Sequence, residues 1–254
     1  MPVETLSSAV KPEDFAHRSR SQLVPINDQF SYLCSPPMAH EDVRRYLQEP
    51  ISALPPAVCA HLRTVAVMLV PFLEKLEDKS PVRVSFHPVP LVHQTQSFRL
   101  VQKDVATLIF AVQDEEVSEF HYSFYHEIAQ LMARDWSKEA AESFVNLVAE
   151  EMVAKVNGEV DERSWKMKQP LQGKPVAKES KAFREYAKQA FVDTLTLYLH
   201  GICCDIDVET GPRQMPSRSV RRRLEALHAL YPPPAGHAVF PEELNKMRKP
   251  RIST

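Results

Sequence analysis

His126 and Glu127 stand side by side in Phe120-His-Tyr-Ser-Phe-Tyr-His-Glu-Ile-Ala-Gln-Leu-Met132, and Gln130 follows the histidine by four residues. On a helix, residues four apart share a face. Two histidines at that spacing, H-E-x-x-H, offer two imidazole nitrogens to one zinc ion, and the glutamate beside the first takes a proton from metal-bound water. Here the first histidine and the glutamate are in register, and Gln130 replaces the second histidine. Its neutral amide oxygen is a poor zinc donor beside imidazole. The chemistry on offer is therefore metal-assisted hydrolysis, with His126 and Gln130 at the metal and Glu127 as the base. A further ligand must come from elsewhere; Glu139, Glu142 and Glu185 are the candidates, and Glu142 is the first choice. The plain alternative is that His126 and Glu127 form a surface or hydrogen-bonded core pair. His121 lies about 140° from His126 at ~100° per residue, so it is not a co-ligand.

The motif needs a helix, and the sequence supplies one. Val117, Phe120, Phe124, Ile128 and Leu131 form an apolar stripe, with Tyr125 also assigned to the core, while Glu119, Ser123, His126 and Gln130 share another side. Asp114, Glu115 and Glu116 place acids where the helix dipole favours them. The preceding run, residues 105–112, is nearly continuous in apolar side chains and reads as a central strand. Val82, Val84 and Phe86 alternate with Arg83, Ser85 and His87 as a half-buried strand, and residues 98–102 read as another. Ser137 is a credible N-cap for a helix over 138–156 that packs antiparallel to the motif helix. Residues 181–200 form a long helix closed by Gly201, and 219–231 a shorter one that exposes Arg221, Arg222 and Arg223. Upstream, 39–48 is helical, and Pro55-Pro56 opens a buried helix to about Glu77, kinked at Pro71. The stretch 158–179, polar and containing Trp165, reads as a loop, with a lid over a cleft as one role. Strands between helices give an α+β domain over 38–201. Residues 1–37 read as an N-terminal arm, and 202–254 as a C-terminal helix with a basic tail.

Composition narrows the function classes. The chain has 254 residues, with 44% hydrophobic and 25% charged residues and a net charge of -2. That balance gives no reason to expect a nucleic-acid partner. Five glycines, with no G-x-G-x-x-G or Walker loop, argue against nucleotide binding. Cys34, Cys59, Cys203 and Cys204 form no C-x-x-C pair and read as free thiols in a reducing compartment. The start shows no secretory pattern, and no apolar run is long enough to span a bilayer. A cytoplasmic protein of unknown oligomeric state, off the membrane, is the expectation.

The order of strand, H-E-x-x-Q helix and later ligand-like helix resembles the gluzincin branch of the zincin-like metallopeptidases, from Pro81 to Gly201. In that family the third ligand is a glutamate on a later helix. The segment Gln189-Ala-Phe-Val-Asp193-Thr-Leu-Thr-Leu-Tyr198-Leu resembles that helix, with Gln189 at the ligand position and Asp193 at the second acid. The resemblance implies a zincin-like fold: a small mixed sheet, the motif helix and several packed helices. It also implies either a zinc-dependent peptidase using His126 and Glu127, or an inactive homologue that binds a peptide or protein partner. A helix-rich interaction module with no such ancestry is the third expectation.

Overall fold

The computed structural model describes residues 9–77, 80–113, 115–203, 215–240 and 242. It is a mixed α+β protein in two compact units. One comprises Met1–Gln48 and Leu62–Ser123, the other Glu49–His61 and Phe124–Thr254.

The first unit is built on two sheets. Short strand β1 (Ala9–Val10) leads into helix α1 (Pro12–Ser19). Strands β2 (Val24–Pro25) and β3 (Phe30–Cys34) follow. A helical segment then runs through α2 (His40–Val43), a π-helical turn at Arg44–Gln48, and α3 (Glu49–Ser52), the last of which, like the helix after it, belongs to the second unit. After α4 (Pro56–His61) come β4 (Thr64–Val70), β5 (Phe72–Glu74), β6 (Arg83–Ser85), β7 (Ser97–Val101) and β8 (Val105–Ala111). The five-stranded sheet has the order β2-β3-β4-β8-β7, with β3, β4 and β8 parallel and both outer strands antiparallel. The order β1-β6-β5 makes the second sheet. Ala16, Met68, Val70, Leu73, Val84 and Ile109 form the apolar cluster of this unit, so α1 and both sheets share one core.

Two expectations fail here. The buried helix from Pro55 to Glu77 is six residues of α4 followed by strands β4 and β5. A short apolar run does not reveal its period, and Val65, Val67 and Val70 are β-branched residues that suit a strand. β4 is buried at every position but its first because parallel neighbours flank it on both sides. Nor is the division at residues 37 and 201 followed. The stretch read as an arm supplies β1, α1, β2 and β3, and β3 pairs with β4 over five residues. Its short strands are completed only by partners distant in sequence. The strands expected near 82–87, 98–102 and 105–112 are present as β6, β7 and β8.

Helix α5 (Val117–Arg134) carries the motif; its chain starts in the first unit and ends in the second. The second unit continues with α6 (Lys138–Val153), α7 (Glu162–Lys168), α8 (Lys181–Cys203) and α9 (Ser217–Leu230). Ser137 caps α6 as expected, its hydroxyl accepting from the Ala140 N–H at 3.2 Å. α8 is buried along most of its length, with α6, α7 and α9 packed around it. It runs through Gly201 to Cys203, so Gly201 is not its cap. The expected lid is instead α7 and a short 3-10 turn. Asp161 caps α7 by accepting from the Arg163 N–H at 2.8 Å. Of the last twenty residues, read as a basic tail, those described are 235–240 and 242.

Candidate functional site

On α5, Phe120, Phe124, Tyr125, Ile128 and Ala129 are sealed in the core, leaving His126 and Gln130 half-buried. The Gln130 Nε2 lies 3.3 Å from the His126 Nε2. A carboxamide nitrogen only donates, so in this arrangement the ring nitrogen is the acceptor. The lone pair that a metal would use is thus directed at Gln130. Glu127 is only 7% exposed, a buried carboxylate rather than one open to a cleft. His121 is buried as well, its Nε2 donating to the Arg45 carbonyl at 2.8 Å.

The further ligand candidates do not converge on this pair. α6 turns Ala140, Phe144 and Val148 inward and leaves Glu139 and Glu142 exposed. Glu142 pairs with Lys138 at 3.8 Å, and Glu185, also exposed, pairs with Lys181 at 3.8 Å. The later helix is antiparallel to α5: the Tyr125 ring is 6.3 Å from His200, and Trp136, just past α5, is 4.5 Å from Phe191. His126 is therefore level with the far end of α8, and Gln189 lies about 16 Å back along the axis at ~1.5 Å per residue. Gln189 donates to Asp193 Oδ1 at 2.7 Å instead. Among the described residues no group of three or more His, Cys, Asp or Glu side chains is placed to hold a metal ion. One imidazole, one amide and one buried carboxylate do not fit a catalytic zinc site, which takes three protein ligands and keeps a fourth position open.

A second polar centre went unseen in the sequence. Arg223, fully buried on α9, donates through Nε and Nη2 to Glu151 Oε2 at 2.9 and 2.6 Å. It also donates through Nη1 and Nη2 to the two oxygens of Glu159 at 2.7 and 3.0 Å. Lys168, 1% exposed at the end of α7, reaches Glu159 Oε1 at 3.0 Å and the Gly158 carbonyl at 2.8 Å. The Tyr186 hydroxyl of α8 donates to the same Glu159 oxygen. Two cations and two carboxylates thus close a neutral network to which four helices and one turn contribute. Burial pushes the Glu159 carboxyl up, but Arg223, Lys168 and Tyr186 outweigh it and hold it below the usual range. Burial also works against the Arg223 charge, and Glu159 and Glu151 more than restore it. The exposed reading holds for Arg221 and Arg222 and is wrong for Arg223. The signal was present: Val220, Arg223, Leu224 and Leu227 share one face at helical spacing, and all four are buried.

Close by, Asp193 is 2% exposed, and burial pushes its carboxyl up to about 6. The Gln189 amide, donating to Asp193 Oδ1, tempers that rise. Ser164 is committed to the Asp161 carbonyl at 3.0 Å, and Asp193 Oδ2 has no hydrogen-bond donor among the described residues. Thiol chemistry has little support: burial raises the Cys34 thiol to about 11 and Cys59 in the same direction.

The first unit carries a cleft of about 520 Å3 lined by Leu91, Gln94, Thr95, Gln96, Gln113 and Glu115. Its walls are fixed by hydrogen bonds. The Tyr46 hydroxyl donates to the Glu115 carbonyl at 2.7 Å, Gln96 Nε2 to Glu115 Oε1 at 3.2 Å, and Gln94 Nε2 to the Val89 carbonyl at 2.7 Å. The Ser123 hydroxyl, from the first half of α5, donates to Gln96 Oε1 at 3.3 Å.

Comparison with protein-family models, with curated proteins and with solved structures gives no significant match. Among the described residues, no helix is long and apolar enough to cross a membrane.

Proposed function

We propose that this chain is a zincin-like protein whose motif helix no longer serves zinc chemistry, and that it acts by holding a peptide or protein partner. The observation that carries the reading is the Gln130 carboxamide set against the His126 ring nitrogen at 3.3 Å. That contact satisfies the imidazole from within the helix, where a second histidine would have left it pointing at a metal. The outward carboxylates Glu139, Glu142 and Glu185 support the same reading. The wide cleft in the first unit supplies a surface for a partner.

Metal analysis and calorimetry test it on the full chain purified without chelator. The expected result is sub-stoichiometric zinc, no heat on zinc titration, and a melting temperature unmoved by chelator. One equivalent of zinc, or a peptidase activity abolished by Glu127→Gln, overturns it in favour of the active-hydrolase reading.

A further inference from the structure

The cleft of the first unit and the turn at its rim define a partner chemistry, an inference that rests on the partner-holding reading above. Leu91 and Val92 are 85% and 84% exposed. They sit on a one-turn 3-10 helix, Leu91–His93, entered through Pro88, Val89 and Pro90. The two prolines restrict that approach. Val89 is buried, and its carbonyl accepts from the Gln94 side chain. The turn is held from its far side too: the Lys75 N–H donates to the His93 carbonyl at 2.7 Å, and Glu74 bridges antiparallel to Gln94. Two aliphatic side chains are thus held in water on braced backbone. Single exposed aliphatics need no explanation, but a braced group beside a cleft marks an interaction site.

The cleft adds polarity of one sign. Its walls offer neutral carboxamides and a hydroxyl at Gln94, Thr95, Gln96 and Gln113, groups that can meet a peptide backbone as donors and acceptors. Glu115 is the one charged side chain among its described lining residues. Burial and the nearby Glu119 both work against the Glu115 charge. A cation entering the cleft would relieve both effects, whereas an anion would add to the repulsion.

We propose that this face binds an extended peptide segment that lays an aliphatic or aromatic side chain on the Leu91–Val92 turn and places a lysine or arginine in the cleft against Glu115. Apolar burial supplies the affinity, and the carboxylate sets the charge preference.

Fluorescence anisotropy on the full chain tests this with three labelled ten-residue peptides, made of alternating leucine and lysine, leucine and glutamate, or serine and lysine. The leucine–lysine peptide is expected to bind at least about tenfold more tightly than either of the others, and to weaken as salt is raised. The double change Leu91→Ser with Val92→Ser should cost about tenfold. Glu115→Gln should leave binding of the leucine–glutamate peptide level with that of leucine–lysine. All three substitutions lie at the surface, and circular dichroism checks that each variant is folded. Absence of binding by any peptide, or binding that ignores all three changes, overturns the proposal. Sedimentation equilibrium adds a control: a native dimer that Leu91→Ser converts to monomer would give the turn to a second copy, and also overturns it. The zinc measurement reports on the underlying reading independently. Stoichiometric zinc would sink that reading whatever the peptides do, and equal binding of all three peptides would sink only the present assignment.

Discussion

At His126 the ring nitrogen that would face a metal is 3.3 Å from the Gln130 carboxamide nitrogen. Placing histidine at position 130 therefore does two things: it removes that donor and adds a second imidazole one turn away. Two nitrogens are still short of a zinc site, because the nearby carboxylates of α6 and α8 point to solvent or lie at another level of the fold. Gln130→His is expected to bind zinc only weakly, with a Kd above about 1 μM by calorimetry, since structural and catalytic sites take at least three protein ligands. Tight binding by the variant would mean that a third donor is within reach and that the outward placement of Glu139, Glu142 and Glu185 is wrong. The motif pair was legible in the sequence because helical spacing alone puts positions 126 and 130 together. What the other candidates do was not legible. The choice between facing α5 and facing water depends on which side of α6 and α8 meets the core, and Phe144 and Phe191 settle that through ring contacts at 5.4 Å that no local pattern encodes.

Among the elements, α9 is the one whose role changed most between sequence and structure. Three consecutive arginines read as a solvated face, yet the third is the centre of the buried network. Arg221 pairs with Glu225 at 2.8 Å and Arg222 pairs with Glu150, both at the surface, where such pairs are worth little. Arg223→Met removes one of the two cations and leaves Glu151 in the interior without its guanidinium, while Lys168 stays on Glu159. The expected loss is about 3–5 kcal/mol in urea unfolding, the usual cost of breaking a buried pair on one side. Adding Glu151→Gln to that variant should recover part of the loss, because Glu159 keeps Lys168 as its partner. A single Arg223→Met variant as stable as the parent would show that the network does not hold the second unit together. α7 has the same lesson in reverse. Its stretch looked like a loop because it is polar and contains Pro170 and Pro175. The Asp161 cap and the 3.0 Å Glu162–Lys166 pair were its local helix signals. β4 shows the remaining limit: its apolar run fits a buried strand or a buried helix equally, and only its pairing with β3 and β8 decides.

For the molecule as a whole, the buried carboxylates give stability a pH dependence with two opposing limbs. The carboxyl of Glu159 is lowered when folded, from a usual value of 4.5. Its stabilising contribution is present above that value and lost as pH falls through the lower, folded one. Asp193 behaves oppositely, because burial raises it from 3.8 to about 6. Between those values the folded chain holds more protons than the unfolded one, so stability falls as pH rises. A difference near two pH units corresponds to roughly 3 kcal/mol at most, at ~1.4 kcal/mol per unit, and the hydrogen bond from Gln189 is retained across the range. Thermal melts across pH 3 to 8 should therefore peak at mildly acidic pH rather than at neutrality. Asp193→Asn removes the descending limb while keeping an oxygen for Gln189 to donate to. That variant is expected to match the parent near pH 4, exceed it by about 1–3 kcal/mol at pH 7, and shift the maximum toward neutral pH. The acidic limb set by Glu159 should persist in it unchanged. Parallel pH profiles for the two proteins would mean that Asp193 titrates like an exposed carboxylate, and the buried centre of the second unit would then be wetter than its geometry indicates.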